Sequence, residues 1–160
     1  MDTRTKGPFH RRSIRLKGHD YSSPGAYYVT ICTLDRQHLL GTVELGAMHL
    51  NENGQIVADE WQWLATHFDA VAPDAWVVLP NHLHGIIVLG PNPPRRKPLG
   101  QIIGAFKTVT TKRINAIRQT PDAAVWQRNF WDHVIRDEFE MNSIRSYIAH
   151  NIENWSEDDG

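Results

Sequence analysis

The most continuously apolar stretch of the chain, residues 76–89, constrains the fold more than any other part of the sequence. Its composition predicts two short buried strands, at 76–79 and at His82–Leu89, with a hinge at Pro80-Asn81 between them. Two buried strands joined so closely indicate neighbours in one sheet, and the rest of the chain has to cover that sheet.

Two histidines, His82 and His84, lie within the second of these strands. Side chains alternate across a strand, so both imidazoles share one face, about 7 Å apart along the strand. That arrangement lets two imidazoles converge on one metal ion. A bare His-x-His is common, and two polar side chains on the solvent face of a half-buried strand would give the same pattern. The pattern alone leaves both interpretations open.

The length of 160 residues predicts one compact domain with a substantial core. Cys32 is the single cysteine, which rules out an internal disulfide and a cysteine-based zinc cluster and fits a reducing compartment. No apolar run approaches membrane-spanning length, and the basic N-terminus lacks the apolar segment of a signal peptide. We therefore expect a soluble cytoplasmic protein with no membrane partner.

The predicted elements alternate between strands and helices in a recognisable order. They are a strand at 27–34, a short hairpin at Gly41–Glu44 and 46–50, a turn at 51–54, a helix at 55–68, the strand pair described above, a helix at Leu99–Arg118, a strand at 126–135 and a last helix at 137–155. Without the hairpin and the last helix, this is the split βαββαβ pattern. It predicts an α+β, ferredoxin-like antiparallel sheet with two helices on one face, leaving the other face for a site and for the C-terminal helix.

The formal net charge of −1 conceals a segregation of charges. Thirteen of the seventeen Lys and Arg residues fall in two blocks, no acid lies between Arg95 and Arg118, and acids collect near the C-terminus. A charge run is usually a solvated face, but two basic blocks with so few acids favour a polyanion partner, most simply nucleic acid. The residues that we expect to contact DNA are Arg4, Lys6, Arg11, Arg12, Arg15, Lys17, Arg95, Arg96, Lys97, Lys107, Lys112 and Arg113.

The last predicted helix carries a tyrosine and an asparagine in an otherwise apolar stripe. Tyr147 and Asn151 are four residues apart, so their side chains would be neighbours on one face. A buried amide needs partners, and a metal ion would be one. A tyrosine with its hydroxyl at the rim of the core and an asparagine that caps the helix would give the same pattern.

Taken together, these residues form a set of three metal ligands, His82, His84 and Asn151, and one oxygen nucleophile, Tyr147. Imidazole and amide oxygen without thiolate suit Mg²⁺ or Mn²⁺, with open positions for a substrate phosphate. A tyrosine attacks phosphorus poorly at neutral pH because its hydroxyl pKa is about 10, so the metal would have to polarise the phosphate. The expected products are a covalent phosphotyrosine and a free 3′-hydroxyl.

Motifs along nearly the whole chain resemble those of the HUH endonucleases, named for His-hydrophobic-His, and within them the REP-associated tyrosine transposases. The stretches that carry the resemblance are 13–18, 25–33, 79–86, 106–107, 113–115, 126–136 and 147–151. By this resemblance, His82 and His84 match two metal ligands, Tyr147 matches the nucleophile and Asn151 matches the third ligand. The family pattern often continues Asn-Pro, whereas this chain has Asn151-Ile152, which would let the helix run on.

The resemblance implies a bacterial, nucleoid-associated, metal-dependent enzyme that cuts and rejoins single-stranded DNA. Its expected partner is a repetitive extragenic palindrome (REP), an imperfect hairpin with a tetranucleotide at its foot, and it would act as a monomer or a homodimer. We expect a basic arm at 1–24, one HUH transposase-like catalytic domain at 25–155 and an acidic tail at 156–160. Tyr21, Tyr27 and Tyr28 are candidates to hold unstacked bases, although the last two are equally expected in the core.

Two other functions remain open on the sequence alone. A non-catalytic nucleic-acid-binding module of the same fold would carry aromatic residues on its open sheet face, where this chain has histidines. A metal nuclease that activates water would use Tyr147 only structurally and would leave no protein–DNA adduct. A relative domesticated by its host would have the same sequence pattern as a mobile one.

Overall fold

The computed structural model describes residues 18–91 and 97–156. Its elements are β1 (Gly25–Cys32), a short 3₁₀ turn (Leu34–Arg36), β2 (Gly41–Glu44), β3 (Ala47–Leu50), α1 (Glu52–His67), β4 (Val71–Leu79), β5 (His82–Leu89), α2 (Leu99–Arg118), β6 (Trp131–Ile135) and α3 (Glu138–Ala149). The acidic tail beyond Ser156 lies outside the described residues, as do these expected DNA contacts: Arg4, Lys6, Arg11, Arg12, Arg15, Lys17, Arg95 and Arg96.

Four strands form one antiparallel sheet in the order β4-β5-β1-β6, and β2 pairs with β3 in a separate hairpin. The expected α+β architecture is therefore confirmed, with β5 and β1 as the central strands. Since β5 carries His82 and His84, both histidines lie in the middle of the sheet and not on an edge.

The two faces of the sheet bury different apolar clusters. Helices α1 and α2 cover one face, where Leu83 and Ile87 of β5 pack into the main core with α1 and α2 residues such as Trp61 and Phe106. Helix α3 covers part of the other face, where Ile86 packs with apolar residues of α3. The alternation expected along β5 is thus observed, and the two histidines share the face of α3.

Close packing behind β5 depends on Gly85. A Cβ atom at this position would lie 2.6 Å from Cζ2 of Trp61, and the Trp61 side chain is fully buried. The indole ring therefore lies directly against the backbone of the strand, in space that any side chain at position 85 would need.

Helix α1 starts earlier than the sequence suggested. The expected turn at 51–54 is the first turn of the helix, because Asn51 is its N-cap: the Asn51 side chain accepts a hydrogen bond from the N–H of Gly54 at 2.9 Å. An asparagine in this role satisfies one of the backbone donors that a helix start leaves open. The helix therefore begins at Glu52.

The strand expected at 126–135 is interrupted. Trp126 forms an isolated bridge with Thr33, and regular pairing with β1 resumes only where Trp131 lies opposite Thr30. From Thr30 to Thr33, at the end of β1, the chain advances by three residues, whereas from Trp126 to Trp131 it advances by five. The second segment therefore has two extra residues. Residues 127–130 therefore form a bulge, which is a local break in the ladder that redirects side chains.

The last helix is shorter than expected. It starts after the N-cap Asp137, whose side chain accepts from the N–H of Glu140 at 2.8 Å, and it ends at Ala149 instead of running to 155. Beyond it, the N–H of Asn151 bonds to the carbonyl of Ile148 at 3.2 Å, a tighter spacing than that of an α-helix. The absence of proline at position 152 therefore does not extend the helix.

Part of the expected N-terminal arm belongs to the core. Tyr21 is only 8% exposed and joins the main apolar cluster, and its carbonyl accepts from the N–H of Leu99 at 3.0 Å. The hydroxyl of Tyr27 donates to the carbonyl of Ser23 at 2.9 Å. Tyr21 therefore packs on the domain, and the boundary after residue 24 stays a prediction.

Within the described ranges, every helix is too short or too polar to cross a lipid bilayer.

Replacing Gly85 by alanine should lower the free energy of unfolding by about 1–3 kcal/mol, because the added methyl group must displace the Trp61 ring. Urea denaturation measures the change. The matched control is Gly104→Ala in α2, where an added Cβ atom would have nothing within 4 Å. There the same substitution should raise stability by about 0.5–1 kcal/mol. Equal effects of the two substitutions would contradict the packing described for Trp61.

Candidate functional site

The two histidines of β5 form a buried pair on the face that α3 covers. His82 is 6% exposed and His84 is 2% exposed. Their Nε2 atoms face each other at 3.0 Å, and the ring centroids are 4.5 Å apart. Two buried imidazole nitrogens this close must share either a proton or a cation, because two facing lone pairs repel each other.

The neighbouring asparagine fixes the tautomer of His82. Oδ1 of Asn81 lies 2.6 Å from Nδ1 of His82, and an amide oxygen can only accept, so Nδ1 carries the hydrogen. In a neutral ring, Nε2 then presents its lone pair towards His84. Asn81 is completely buried and its Nδ2 atom has no partner among the described residues.

Two hydroxyls of β1 support His84 from the other side. Its Nδ1 atom lies 2.8 Å from Oγ1 of Thr30 and 3.0 Å from the hydroxyl of Tyr28. Hydroxyls can donate or accept, so His84 is compatible with either tautomer. If Nε2 of His84 carries the hydrogen, it donates to Nε2 of His82. If Nδ1 of His84 carries the hydrogen, the Nε2 atoms of both rings direct their lone pairs towards the same point.

The second of these states suits a divalent cation. Two ligands at right angles, each about 2.1 Å from one ion, lie about 3 Å apart, which is the separation of the two Nε2 atoms. Outer partners that hold the far nitrogen of each ring are typical of metal-binding histidines. Within the described ranges no third His, Cys, Asp or Glu completes a cluster. The pair therefore fits an ion that keeps positions for an amide, water or substrate oxygen.

Helix α3 brings Tyr147 to this pair. The ring centroid of Tyr147 is 6.0 Å from that of His84, and the ring planes are inclined at 67°. Tyr147 packs against the apolar cluster that contains Tyr28, whose hydroxyl contacts His84, and burial raises the pKa of Tyr28. Tyr147 itself is only half-buried. The structure thus brings together three of the four expected site residues.

The fourth, Asn151, lies in the turn that follows α3. Its side chain is half-buried, and its position is set by the tight hydrogen bond from its N–H to the carbonyl of Ile148. It is therefore not the helical neighbour of Tyr147 that we expected. Its role as the third metal ligand stays a prediction.

The turn after α3 also places an aromatic ring beside the histidines. The indole ring of Trp155 lies 6.1 Å from His82 and 5.6 Å from His38, measured between ring centroids. Helical spacing grouped Trp155 with Tyr147 and Asn151, although the helix ends before it. The sequence reasoning missed Thr30, whose role follows from its position opposite His84 in the β1–β5 register. Asn81 was the one supporting residue with a sequence signal, because it directly precedes His82.

The expected DNA contacts within the described residues differ in their surroundings. Lys97 and Lys112 are exposed. Arg113 forms an ion pair with Glu60, at 2.6 Å between Nη1 and Oε2. The ammonium group of Lys107 contacts three backbone carbonyls, so its three donors are already used and a phosphate contact would require breaking them.

An ion pair and a hydrogen bond join α3 to opposite edges of the sheet. At the β4 edge, Arg145 donates from Nε and Nη2 to the two carboxylate oxygens of Asp74, at 2.8 and 3.0 Å. At the β6 edge, Nε2 of His133 lies 2.6 Å from Oε2 of Glu140. Between them, Met141, Ile144 and Ile148 of α3 pack on Tyr28 and Ile86. These contacts fix the helix, and with it Tyr147, over the histidine pair.

Two proteins of Haemophilus influenzae are similar in sequence to this chain. An uncharacterised protein of Haemophilus influenzae is 36% identical over 170 residues, covering 95% of this chain and 93% of that protein. A second H. influenzae protein, provisionally named a REP-associated tyrosine transposase, is 28% identical over 142 residues, covering 82% of this chain and 72% of that protein. No family model matches the chain.

Two solved structures share the fold. A REP-associated tyrosine transposase bound to a REP hairpin has a TM-score of 0.58 and 20% identity, covering 86% of this chain and 72% of that one. A provisionally named transposase from Deinococcus radiodurans has a TM-score of 0.53 and 18% identity, covering 85% of this chain and 97% of that one.

The four-stranded sheet, with α1 and α2 on one face and α3 on the other, is the α+β fold that this chain shares with both of these structures. In both sequence and fold, this chain is similar to REP-associated tyrosine transposases.

The bond from Arg145 lowers the pKa of Asp74 below its ordinary value of 3.8. A carboxylate with a depressed folded-state pKa stabilises the fold above its ordinary pKa and loses that contribution as the pH falls through the folded value. Asp74→Asn should therefore be less stable than the parent at pH 6–7, and the difference should shrink as the pH falls below about 4. Urea denaturation across this pH range measures it.

Arg145→Gln should reproduce the effect of Asp74→Asn, and the double variant should add little, because the two residues form one pair. Additive losses from the two single variants would show that the pair does not hold α3 to β4.

Proposed function

We propose that this protein cuts and rejoins single-stranded DNA at palindromic hairpins of the REP type, with Tyr147 as the nucleophile and a divalent cation held by His82 and His84. The proposal draws its partner from the relatives, one of which is a REP-associated tyrosine transposase bound to a REP hairpin. It draws its chemistry from the arrangement of the three side chains.

One observation carries the proposal: the phenol ring of Tyr147 lies 6.0 Å from the ring of His84, whose Nε2 faces that of His82 at 3.0 Å. A phenol and a pair of imidazoles that could bind a cation meet on one sheet face, and all three belong to one chain. Cleavage by this arrangement needs a single copy of the protein, whether or not copies associate.

The reaction exchanges one phosphodiester for another. The oxygen of Tyr147 attacks the phosphorus, the bond to the 3′ oxygen breaks, and the 5′ phosphate becomes joined to the tyrosine. The phenol loses its proton and the departing 3′ oxygen gains one. Because the energy of the ester is kept in the phosphotyrosine, a 3′-hydroxyl can reverse the step and rejoin DNA without an external energy source.

The protein's own residues supply position and shape for this reaction. The apolar contacts of α3 and its pairs at Asp74 and His133 hold the phenol in place, which lowers the entropic part of the barrier. Asn81 and Thr30 orient the two imidazoles. A bound Mg²⁺ or Mn²⁺ would polarise the phosphate and stabilise the charge that develops on it. Asn151 is our proposed third ligand.

A DNA substrate also suggests which lysines contact phosphate and in which compartment the protein acts. The exposed Lys97 and Lys112 are candidates for phosphate contacts. A buried single thiol, Cys32, and a DNA substrate both fit the bacterial cytoplasm, where the protein would meet the nucleoid.

Tyr147→Phe should abolish the covalent adduct, with a loss of about 10³-fold or more, because it removes the attacking oxygen and little else. Labelled single-stranded hairpins from the DNA that flanks the gene are incubated with Mn²⁺, and the adduct is measured on a denaturing gel. The matched control, Tyr21→Phe, removes a phenol oxygen from the main core of the domain and should leave adduct formation intact.

The possible results separate the proposal from its two rivals. Cleaved DNA without an adduct would indicate a nuclease that activates water. Hairpins that the parent binds but never cuts would indicate a non-catalytic binding module. An adduct that persists in Tyr147→Phe would assign the nucleophile to another residue.

Asn81 offers a test of the metal site that does not depend on activity. Asn81→Leu removes the acceptor that holds Nδ1–H of His82, and it should weaken Mn²⁺ binding by about 10–100-fold. Asn81→Asp keeps an acceptor and removes the unmatched Nδ2 donor, so it should bind Mn²⁺ at least as tightly as the parent.

Calorimetric titration with Mn²⁺ alone measures both affinities, and thermal unfolding verifies that the variants are folded. If both substitutions weaken binding alike, or if neither does, Asn81 does not set the tautomer of His82 as proposed.

A further inference from the structure

The bulge at residues 127–130 is held by an unusual contact from the opposite helix layer. Nζ of Lys107 in α2 lies 2.9 Å from the carbonyl oxygen of Gln127, 3.3 Å from that of Arg128 and 3.2 Å from that of Asn129. The ring of Phe130 lies 5.9 Å from the same atom. One ammonium group thus binds three successive backbone carbonyls.

This contact has an energetic cost. Burial lowers the pKa of Lys107, which means that its charged form is partly stripped of water. A half-buried ammonium is stable where its donors are matched, and here the three carbonyls match them. These carbonyls lie outside the β1 ladder, and the one ammonium group donates to all three of them. The lysine therefore fixes the backbone of the bulge in one conformation.

The bulge lies close to the histidine pair. The N–H of Gln127 donates to the carbonyl of Cys32 at 2.9 Å, and Cys32 is the residue of β1 that pairs with His82. Neighbouring strands are about 4.8 Å apart, so the backbone of Gln127 is about 10 Å from that of His82. The bulge and the histidine pair are therefore separated by about two strand spacings across the sheet.

The side chains that the bulge presents have the chemistry of base recognition. Arg128 and Asn129 are exposed and Gln127 is half-buried, and the segment contains no acid. Arginine pairs with the acceptors of guanine, and asparagine and glutamine pair with the donor and acceptor of adenine. A rigid backbone favours such pairing because little conformational freedom is lost on binding.

We propose that the bulge at 127–130 reads the bases of unpaired nucleotides next to the scissile phosphate, with Arg128 and Asn129 as the reading side chains and a preference for purines. Lys107 is then a positioning residue, which acts by holding the bulge and not by binding phosphate. This inference rests on the proposed function, since it takes single-stranded DNA as the ligand.

The test is a binding selection with a pool of DNA hairpins that carry four randomised, unpaired nucleotides at the foot. It uses the full chain in the Tyr147→Phe background without metal, so that no cleavage occurs. The parent should enrich specific bases. Combined Arg128→Ala and Asn129→Ala should reduce that preference by about tenfold or more at one or two positions, because it removes paired contacts to base edges.

The matched control is Lys112→Ala, which removes one exposed cation of α2. It should weaken binding to all sequences alike and leave the selected bases unchanged. If the double variant selects the same bases as its parent, or if the parent selects none, the bulge does not read sequence.

A second variant tests the positioning role. Lys107→Met keeps both reading side chains but removes the ammonium, so the base preference should relax although Arg128 and Asn129 remain. Thermal unfolding establishes whether Lys107→Met is folded. If Lys107→Met does not fold, the combined Arg128→Ala and Asn129→Ala variant, which changes only exposed residues, still tests the reading role. An unchanged preference in a folded Lys107→Met would refute the proposed role of the lysine.

The selection is independent of the chemistry at Tyr147. Suppose that the protein with Tyr147 forms the adduct, and that the base preference seen in the Tyr147→Phe background survives the double substitution. The proposed function would then stand and this inference would be wrong. Suppose instead that the preference disappears with the double substitution but that the protein with Tyr147 never forms an adduct. Base reading by the bulge would then stand and the proposed function would be wrong.

Discussion

The pairing register of β1 and β5 is the constraint on which the rest of the site depends. It places Thr30 opposite His84 and Cys32 opposite His82. Side chains alternate with a period of two, so a slip of one residue would turn both imidazoles into the core beneath α1 and α2. The same register sets Tyr28 and Thr30 on the face of the histidines, where their hydroxyls hold Nδ1 of His84. Strand pairing thus supplies the orientation of the rings as well as the fold.

The position of Tyr147 depends on a second set of contacts, which belong to α3 alone. The helix packs with three buried apolar residues on the sheet, and it is joined to β4 by an ion pair and to β6 by a hydrogen bond. The apolar contacts are non-directional and stabilise the packing of the helix on the sheet, whereas a bidentate arginine–carboxylate pair has a defined geometry. The combination fixes both the distance of the helix from the sheet and its rotation about its own axis.

Sequence periodicity was sufficient for much of this architecture. The alternation in His82–Leu89 predicted which residues face α3, and the helical stripe predicted α2 with the bounds that the structure has. The two-layer topology followed from the order of elements. These features depend on side-chain patterns within single segments, which one sequence displays directly.

Other features depend on contacts between distant segments, and these could not be predicted. The bulge at 127–130 is held by Lys107, twenty residues earlier on a different element, and the sequence of the bulge itself resembles a continuous strand. Helix α3 ends at Ala149 although Ile152 permits a longer helix, so Asn151 lies in a turn and not on the helical face of Tyr147. Thr30 became a partner of His84 only through the sheet register.

The glycine that follows His84 has a consequence for how the site responds to change elsewhere. Because Gly85 has no side chain, the ring of Trp61 touches the main chain of β5 itself, directly behind the imidazole-bearing residues. A displacement of α1 would therefore reach the two rings without a flexible side chain to absorb it. The helices on the far side of the sheet therefore support β5 rigidly. Substitutions in those helices should change the relative positions of His82 and His84.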